Sequence, residues 1–156
     1  MTLDANIPIV ETALRLTAAM ACGIVLGLDR EARGKAAGLR TQTLIAVSAA
    51  ATTLVALEMY ATLSAQEREG HGDPIRVIQG LAQAIGFISA GVMFQAGASV
   101  HGVTTAAVIW MAGALGIACG AGYYVIAGMG LLLSIVVTVG LRALERRLFP
   151  ADRPDR

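Results

Sequence analysis

The chain has 156 residues, of which 56% are hydrophobic and 15% are charged, and its mean hydropathy is +0.67. Soluble domains carry about 25% charged residues, so this composition excludes a water-soluble domain and favours a chain surrounded by hydrocarbon. The net charge of +1 gives no electrostatic basis for binding nucleic acid.

Five apolar segments follow one another, and each has the length that a helix needs to cross a bilayer, about 17 to 25 residues. They span roughly residues 7–28, 41–63, 75–94, 103–119 and 123–141. The third contains Arg76, Gln79 and Gln83, so its hydropathy is the lowest. We predict an all-α membrane protein of about five transmembrane helices, with one domain over residues 1–149 and a disordered cytoplasmic tail at 150–156.

The first two segments are joined by residues 27–41, "GLDREARGKAAGLRT", which we name the charged turn because it carries six charged side chains. Lys and Arg concentrate in cytoplasmic loops. The basic residues of this turn and those after residue 141 both fit a multi-pass chain with its N-terminus outside and its C-terminus in the cytoplasm.

A shift of 64 positions aligns Gly27 with Gly91, Gly38 with Gly102, and Thr41 with Thr105. The segments 13–53 and 77–117 therefore form a possible parallel repeat of two helical hairpins, with its axis along the membrane normal. Glycine and alanine also recur at four-residue spacing in the first, third and fourth segments, as at Gly23 and Gly27. Such spacing lets helices approach closely, either within one tight bundle or across a homodimer.

Charged side chains near the outer ends of the helices are candidates for function, since charge at membrane depth is costly. Glu11 precedes Arg15 by four positions, which is the favourable order for a helical ion pair. Glu58 and Arg76 lie at similar predicted depth and could pair. The alternative is that these long side chains reach the polar interface.

Arg76, Gln79 and Gln83 recur at steps of three and four, which places them on one helical face. Lipid cannot satisfy such a face, so we expect it to point into the bundle or a wet cavity. We group Thr104 and Thr105 with this intramembrane polar face. Hydrogen bonds between helices would explain it, and a solute path or a partner groove is the functional alternative.

The charged turn is the main predicted site because its charges alternate in sign. We expect Asp29 and Glu31 to form a salt-bridged cluster with Arg33 and Arg40, although a loop that only orients the chain is the alternative. Two carboxylates beside four cations suit Mg²⁺ poorly, so we expect no metal or cofactor. Neither histidine has ligand spacing and no nucleophile has a base beside it, so we expect no enzymatic activity.

Residues 23–50, "GIVLGLDREARGKAAGLRTQTLIAVSAA", and residues 76–124, which begin "RVIQGLAQAIGFISAG", together resemble the MgtC/SapB family of bacterial inner-membrane proteins. In the charged turn the residues that match the family pattern are Gly27, Arg30, Glu31, Gly38, Leu39, Arg40 and Thr41. The second motif is matched by Arg76, Gly86, Phe87, Ala90, Gly91, Phe94, Gly97, Gly102, Thr104, Thr105 and Trp110. Positions that depart from the pattern include Asp29, Gln42, Ser89, Gln95 and His101.

The resemblance implies a location in the bacterial inner membrane and a link to growth in low magnesium and to survival inside macrophages. It also implies a partner, since some members are reported to restrain the F-type ATP synthase. We expect a membrane domain without the soluble C-terminal domain of longer members, and a homo-oligomer, most simply a dimer. A non-enzymatic regulator is therefore our first hypothesis, and a small transporter or channel is the second.

Overall fold

A computed structural model describes residues 7–65, 73–96, 99–142, 144 and 148, and helices dominate it. The helices are α1 (Ile9–Ala32), α2 (Leu39–Ala65), α3 (Pro74–Gly91), α4 (Val103–Gly120) and α5 (Tyr124–Ile135). A π-helix, Val136–Leu141, continues α5 without a break. The five predicted helices and the all-α class are confirmed, while residues 150–156, the predicted tail, lie outside the described residues.

Four of the described helices are long and apolar enough to cross a membrane: Ile9–Ala32, Leu39–Ser64, Val103–Gly120 and Tyr124–Leu141. The chain is therefore a helical membrane protein. The fifth helix, α3, has 18 residues and is not among the four. Arg76, Gln79 and Gln83 lower its hydropathy, as the sequence predicted.

A short antiparallel hairpin joins α3 to α4. Its strands are β1 (Phe94–Ala96) and β2 (Ser99–His101), and Phe94 pairs with His101. The two rings stack with their centroids 5.3 Å apart, a cross-strand contact that stabilises such a pair. Gly102 then takes a left-handed conformation, φ 84°, and α4 begins at the next residue.

The centre of the fold is the packing of α1, α2 and α4, with α3 against α2 and α4, and α5 against α4 and α1. Two glycines bring α1 onto α2. A Cβ added at Gly23 would lie 2.5 Å from the Thr43 Cα, and one added at Gly27 would lie 2.5 Å from the Leu39 Cα. On the other side of α2, a Cβ at Gly120 would lie 2.6 Å from the Ala50 carbonyl oxygen. The glycines of α1 and α4 thus serve packing inside one chain.

The buried side chains between these helices are small and apolar. The larger of two buried clusters contains Ala19, Cys22, Leu26, Ala50, Val108, Ala112, Leu115, Cys119 and Ala127. The smaller cluster, which joins α3 to α2 and α4, contains Ala49, Ile85 and Ile109. Small residues bring backbones into dispersion contact, which is the main source of helix association in lipid.

The predicted repeat agrees with some boundaries and differs at others. α2 begins at Leu39 and α4 at Val103, which are 64 positions apart. However, α1 continues to Ala32 whereas α3 ends at Gly91, and only the second connection contains a hairpin. The repeat and the orientation with the N-terminus outside therefore remain predictions.

We expect Gly23→Ala and Gly27→Ala each to destabilise the protein by about 1 to 3 kcal/mol, because the new methyl group meets the α2 backbone. The measurement is thermal unfolding in detergent, followed by size-exclusion chromatography. Gly128→Ala on α5 is the matched control, since nothing lies within 4 Å of a Cβ at that position. Equal melting temperatures for the α1 variants and the control would contradict the packing argument.

Candidate functional site: the charged turn

Arg30 is the buried charge at the centre of the charged turn, with only 6% of its surface exposed. It continues the buried face of α1, one turn after Leu26 and Gly27. Its Nη2 donates hydrogen bonds to the Ala36 carbonyl oxygen at 2.8 Å and to the Thr105 hydroxyl. Arg30 therefore links α1, the turn and the start of α4, and it joins the two motifs that the sequence treated separately.

Glu31 and Gly38 fix the point at which α2 begins. The Glu31 Oε2 accepts a hydrogen bond from the Leu39 backbone N–H at 3.1 Å. The first N–H groups of a helix lack internal partners, and a carboxylate is favourable there. A Cβ at Gly38 would collide with the same Oε2, so a larger residue there would push the Glu31 carboxylate away from this capping position.

Gln42 holds the turn from the α2 side, a role that the sequence did not reveal. Its side chain is completely buried, and its Nε2 donates to the Ala37 carbonyl oxygen at 3.1 Å. Ala37 has a positive φ of 56°, a conformation that few residues other than glycine adopt. Arg30 and Gln42 thus bind consecutive carbonyls, and the turn has one defined shape.

The predicted salt-bridged cluster forms only in part. Asp29 and Arg33 make an ion pair four residues apart. Arg40 is exposed and forms no ion pair with any described residue, so the prediction for Arg40 is wrong. The buried face of α2 begins at Gln42, and Arg40 and Thr41 lie off that face at the surface. The Asp29 carboxylate is thus paired with Arg33, and the Glu31 carboxylate accepts from the Leu39 backbone N–H.

The Glu11–Arg15 pair is confirmed, with 2.8 Å between Oε1 and Nε. The pair also holds the other end of the bundle together. Arg15 donates from Nη1 to the Gly120 carbonyl oxygen at 3.0 Å, and the Tyr124 hydroxyl donates to Glu11 at 3.0 Å. These contacts tie α1 to the connection between α4 and α5, so the pair does more than reach an interface.

The predicted Glu58–Arg76 ion pair is not formed among the described residues. The Glu58 Oε1 instead accepts a hydrogen bond from the Ile7 backbone N–H at 2.6 Å. This contact joins the segment that precedes α1 to the last third of α2. Arg76 is exposed at the start of α3.

The polar face of α3 points away from the bundle, which corrects the prediction that it faces inward. Arg76, Gln79 and Gln83 are all exposed. The opposite face of α3, with Ile85 and Ser89, is the buried one, since apolar contacts with α4 fix the rotation of the helix. Of the two threonines grouped with this face, Thr104 is exposed, and Thr105 is instead buried against Arg30.

These features define a helical membrane protein in which one buried arginine, Arg30, joins the charged turn to Thr105 at the start of α4. The chain belongs to the MgtC family, whose model matches residues 16–147. It is 37% identical over 141 residues to the protein MgtC of Brucella abortus. The aligned residues cover 90% of this chain and 56% of that protein. It is 35% identical over 133 residues to YhiD of Escherichia coli K12, which is named as a candidate magnesium transporter; the match covers 85% of this chain and 61% of YhiD.

An uncharacterised protein of Synechocystis is 36% identical over 135 residues, which cover 86% of this chain and 54% of that protein. The chain therefore spans little more than half the length of these curated relatives. No solved structure is significantly similar to it.

We expect Thr105→Val to destabilise the protein by about 1.5 to 3 kcal/mol, because it removes an acceptor from a buried guanidinium. Thr104→Val is the matched control, since Thr104 is the adjacent residue and is exposed. The measurement is the shift in thermal unfolding of the two purified variants. A Thr105→Val protein as stable as the Thr104→Val protein would show that the Arg30 contact contributes nothing.

Proposed function

We propose that this chain is a non-enzymatic protein of the bacterial inner membrane that regulates another membrane complex through the charged turn. The observation that carries the proposal is the contrast within that turn. Arg30, Glu31 and Gln42 hold its backbone from inside, while Arg40 and Thr41 are exposed on the same turn. A rigid backbone that presents exposed polar groups suits recognition, because little entropy is lost on binding.

The interior of the bundle supports a regulator over a transporter acting as a single chain. The larger buried cluster, between α1, α2, α4 and α5, is built from alanine, leucine, valine and cysteine. A path for an ion needs polar groups along its length. The family resemblance extends the proposal to the F-type ATP synthase as partner, and to growth in low magnesium and intracellular survival as the affected processes.

We expect Arg40→Ala and Asp29→Ala to abolish growth support in low magnesium, in a strain that lacks its own MgtC-family protein. Arg40→Ala removes an exposed cation, and Asp29→Ala removes the ion pair with Arg33 at the end of α1. The measurement is growth at limiting Mg²⁺ with equal amounts of inserted protein.

Leu44→Ala is the control, since Leu44 lies one turn after Arg40 on α2 and is also exposed. Co-purification of ATP synthase subunits with the wild-type chain, and its loss in Arg40→Ala, would support that partner. Normal growth with both charge variants would contradict the proposed role of the charged turn.

A small transporter is the second candidate, because a relative is named for magnesium transport and because α3 exposes Arg76, Gln79 and Gln83. Hydrocarbon cannot satisfy these groups. A second copy could, since glutamine amides both donate and accept hydrogen bonds and a twofold axis brings identical faces together. We therefore propose a homodimer through α3, in which any solute path lies between the copies.

We expect Gln83→Cys to form disulfide-linked dimers in membranes treated with a mild oxidant, because the twofold axis would bring the two thiols together. Leu132→Cys is the control, since Leu132 is 62% exposed on α5 and lies outside the proposed interface. Dimers are counted on non-reducing gels. Equal cross-linking at both positions would contradict the α3 interface, and liposomes without flux of Mg²⁺, protons or anions would contradict transport.

A further inference from the structure

A cavity of about 240 Å³ lies beside the charged turn, between α1, α4 and the π-helix. Its lining includes the apolar side chains of Leu26, Val108 and Val139 and the polar side chains of Asp29, Arg30 and Thr138. Val139 is 42% exposed, so the cavity is accessible from outside the bundle. A space lined by both apolar and charged side chains suits an amphipathic molecule.

The charge of Arg30, which lines the cavity, is not balanced by an ion pair among the described residues. Arg30 makes its hydrogen bonds to a carbonyl and a hydroxyl, both neutral, and no carboxylate among the described residues forms an ion pair with it. Its Nε–H is buried without a partner. A buried charge is costly unless it is paired and hydrogen-bonded, so the cavity has a place for an anion.

Asp29 also lines the cavity, but it does not cancel this preference for an anion. Its carboxylate is paired with Arg33, so Asp29, Arg30 and Arg33 together carry one net positive charge. An anion near Arg30 would therefore be attracted by the net positive charge of these three side chains and would not be repelled by an unpaired carboxylate. Guanidinium groups bind phosphate oxygens especially well.

The π-helix forms part of the cavity wall. Val136–Leu141 follows α5 directly, and Thr138 and Val139 belong to it. The Thr138 hydroxyl donates to the Ser134 carbonyl oxygen at 2.8 Å, so its hydrogen is already used within the helix. Single π-turns inside helices are frequent at functional sites, and this π-helix lines the same cavity as Arg30.

We propose that this cavity binds one anionic phospholipid, with an acyl chain against Leu26, Val108 and Val139 and a phosphate oxygen accepting from Arg30. The lipid provides the missing counterion and fills the apolar space. The site is independent of the proposed regulatory role, because it needs neither a partner protein nor a second copy of the chain.

The experiment is native mass spectrometry of the full chain in a neutral detergent, titrated with phosphatidylglycerol or with phosphatidylcholine of the same acyl chains. We expect one phosphatidylglycerol to bind about tenfold more tightly than phosphatidylcholine. Val139→Trp should fill the cavity and abolish this binding without touching Arg30. Val137→Trp is the matched control, since Val137 is exposed on the same π-helix and does not line the cavity.

Arg30→Gln should remove the preference for the anionic lipid; if that variant does not fold, the two tryptophan variants decide. Phosphatidylglycerol that binds Val139→Trp as it binds Val137→Trp would overturn the site. Equal affinity for the two lipids would overturn the role of the charge. Inorganic phosphate or a free fatty acid that displaces the lipid at equal concentration would overturn the assignment to a phospholipid and assign the site to a free anion.

Discussion

The burial of the Arg30 guanidinium is the constraint around which the rest of the site is arranged. Removing a cation from water costs several kcal/mol, and hydrogen bonds to the Ala36 carbonyl and the Thr105 hydroxyl offset part of that cost. Because these acceptors belong to different elements, satisfying one side chain fixes the turn and the start of α4 relative to α1. A substitution in α1, in the turn or at the start of α4 that alters these hydrogen bonds should therefore change the structure of the other two elements.

This burial depends in turn on how closely the helices approach. Lipid offers no hydrophobic drive for helices to associate, so the bundle relies on contact between backbones. Gly23 and Gly27 leave no room for a side chain between α1 and α2, which brings the start of α2 beside the end of α1. The connection between them is then short enough for Glu31 to cap α2 and for Gln42 to reach Ala37.

The helices α3 and α5 pack at the edge of this centre, and each presents polar groups outside it. α3 packs through Ile85 and exposes its glutamines, while α5 ends in a π-helix that lines the cavity next to Arg30. The MgtC-family core thus combines a rigid centre with two surfaces that hydrocarbon alone does not complete. A second copy would complete the first surface, and an anionic lipid would complete the second.

The sequence by itself determined the membrane class, the five helices, the low hydropathy of α3 and the Glu11–Arg15 pair. These follow from composition, segment length and contacts within one helix, which are local properties. Only the tertiary structure decided that Arg30 contacts Thr105, that Gln42 is buried, that Arg40 is exposed and that the glutamines of α3 face outward. Each depends on how a helix is rotated against its neighbours, and that rotation is set by packing between residues far apart in the chain, which spacing along one segment does not encode.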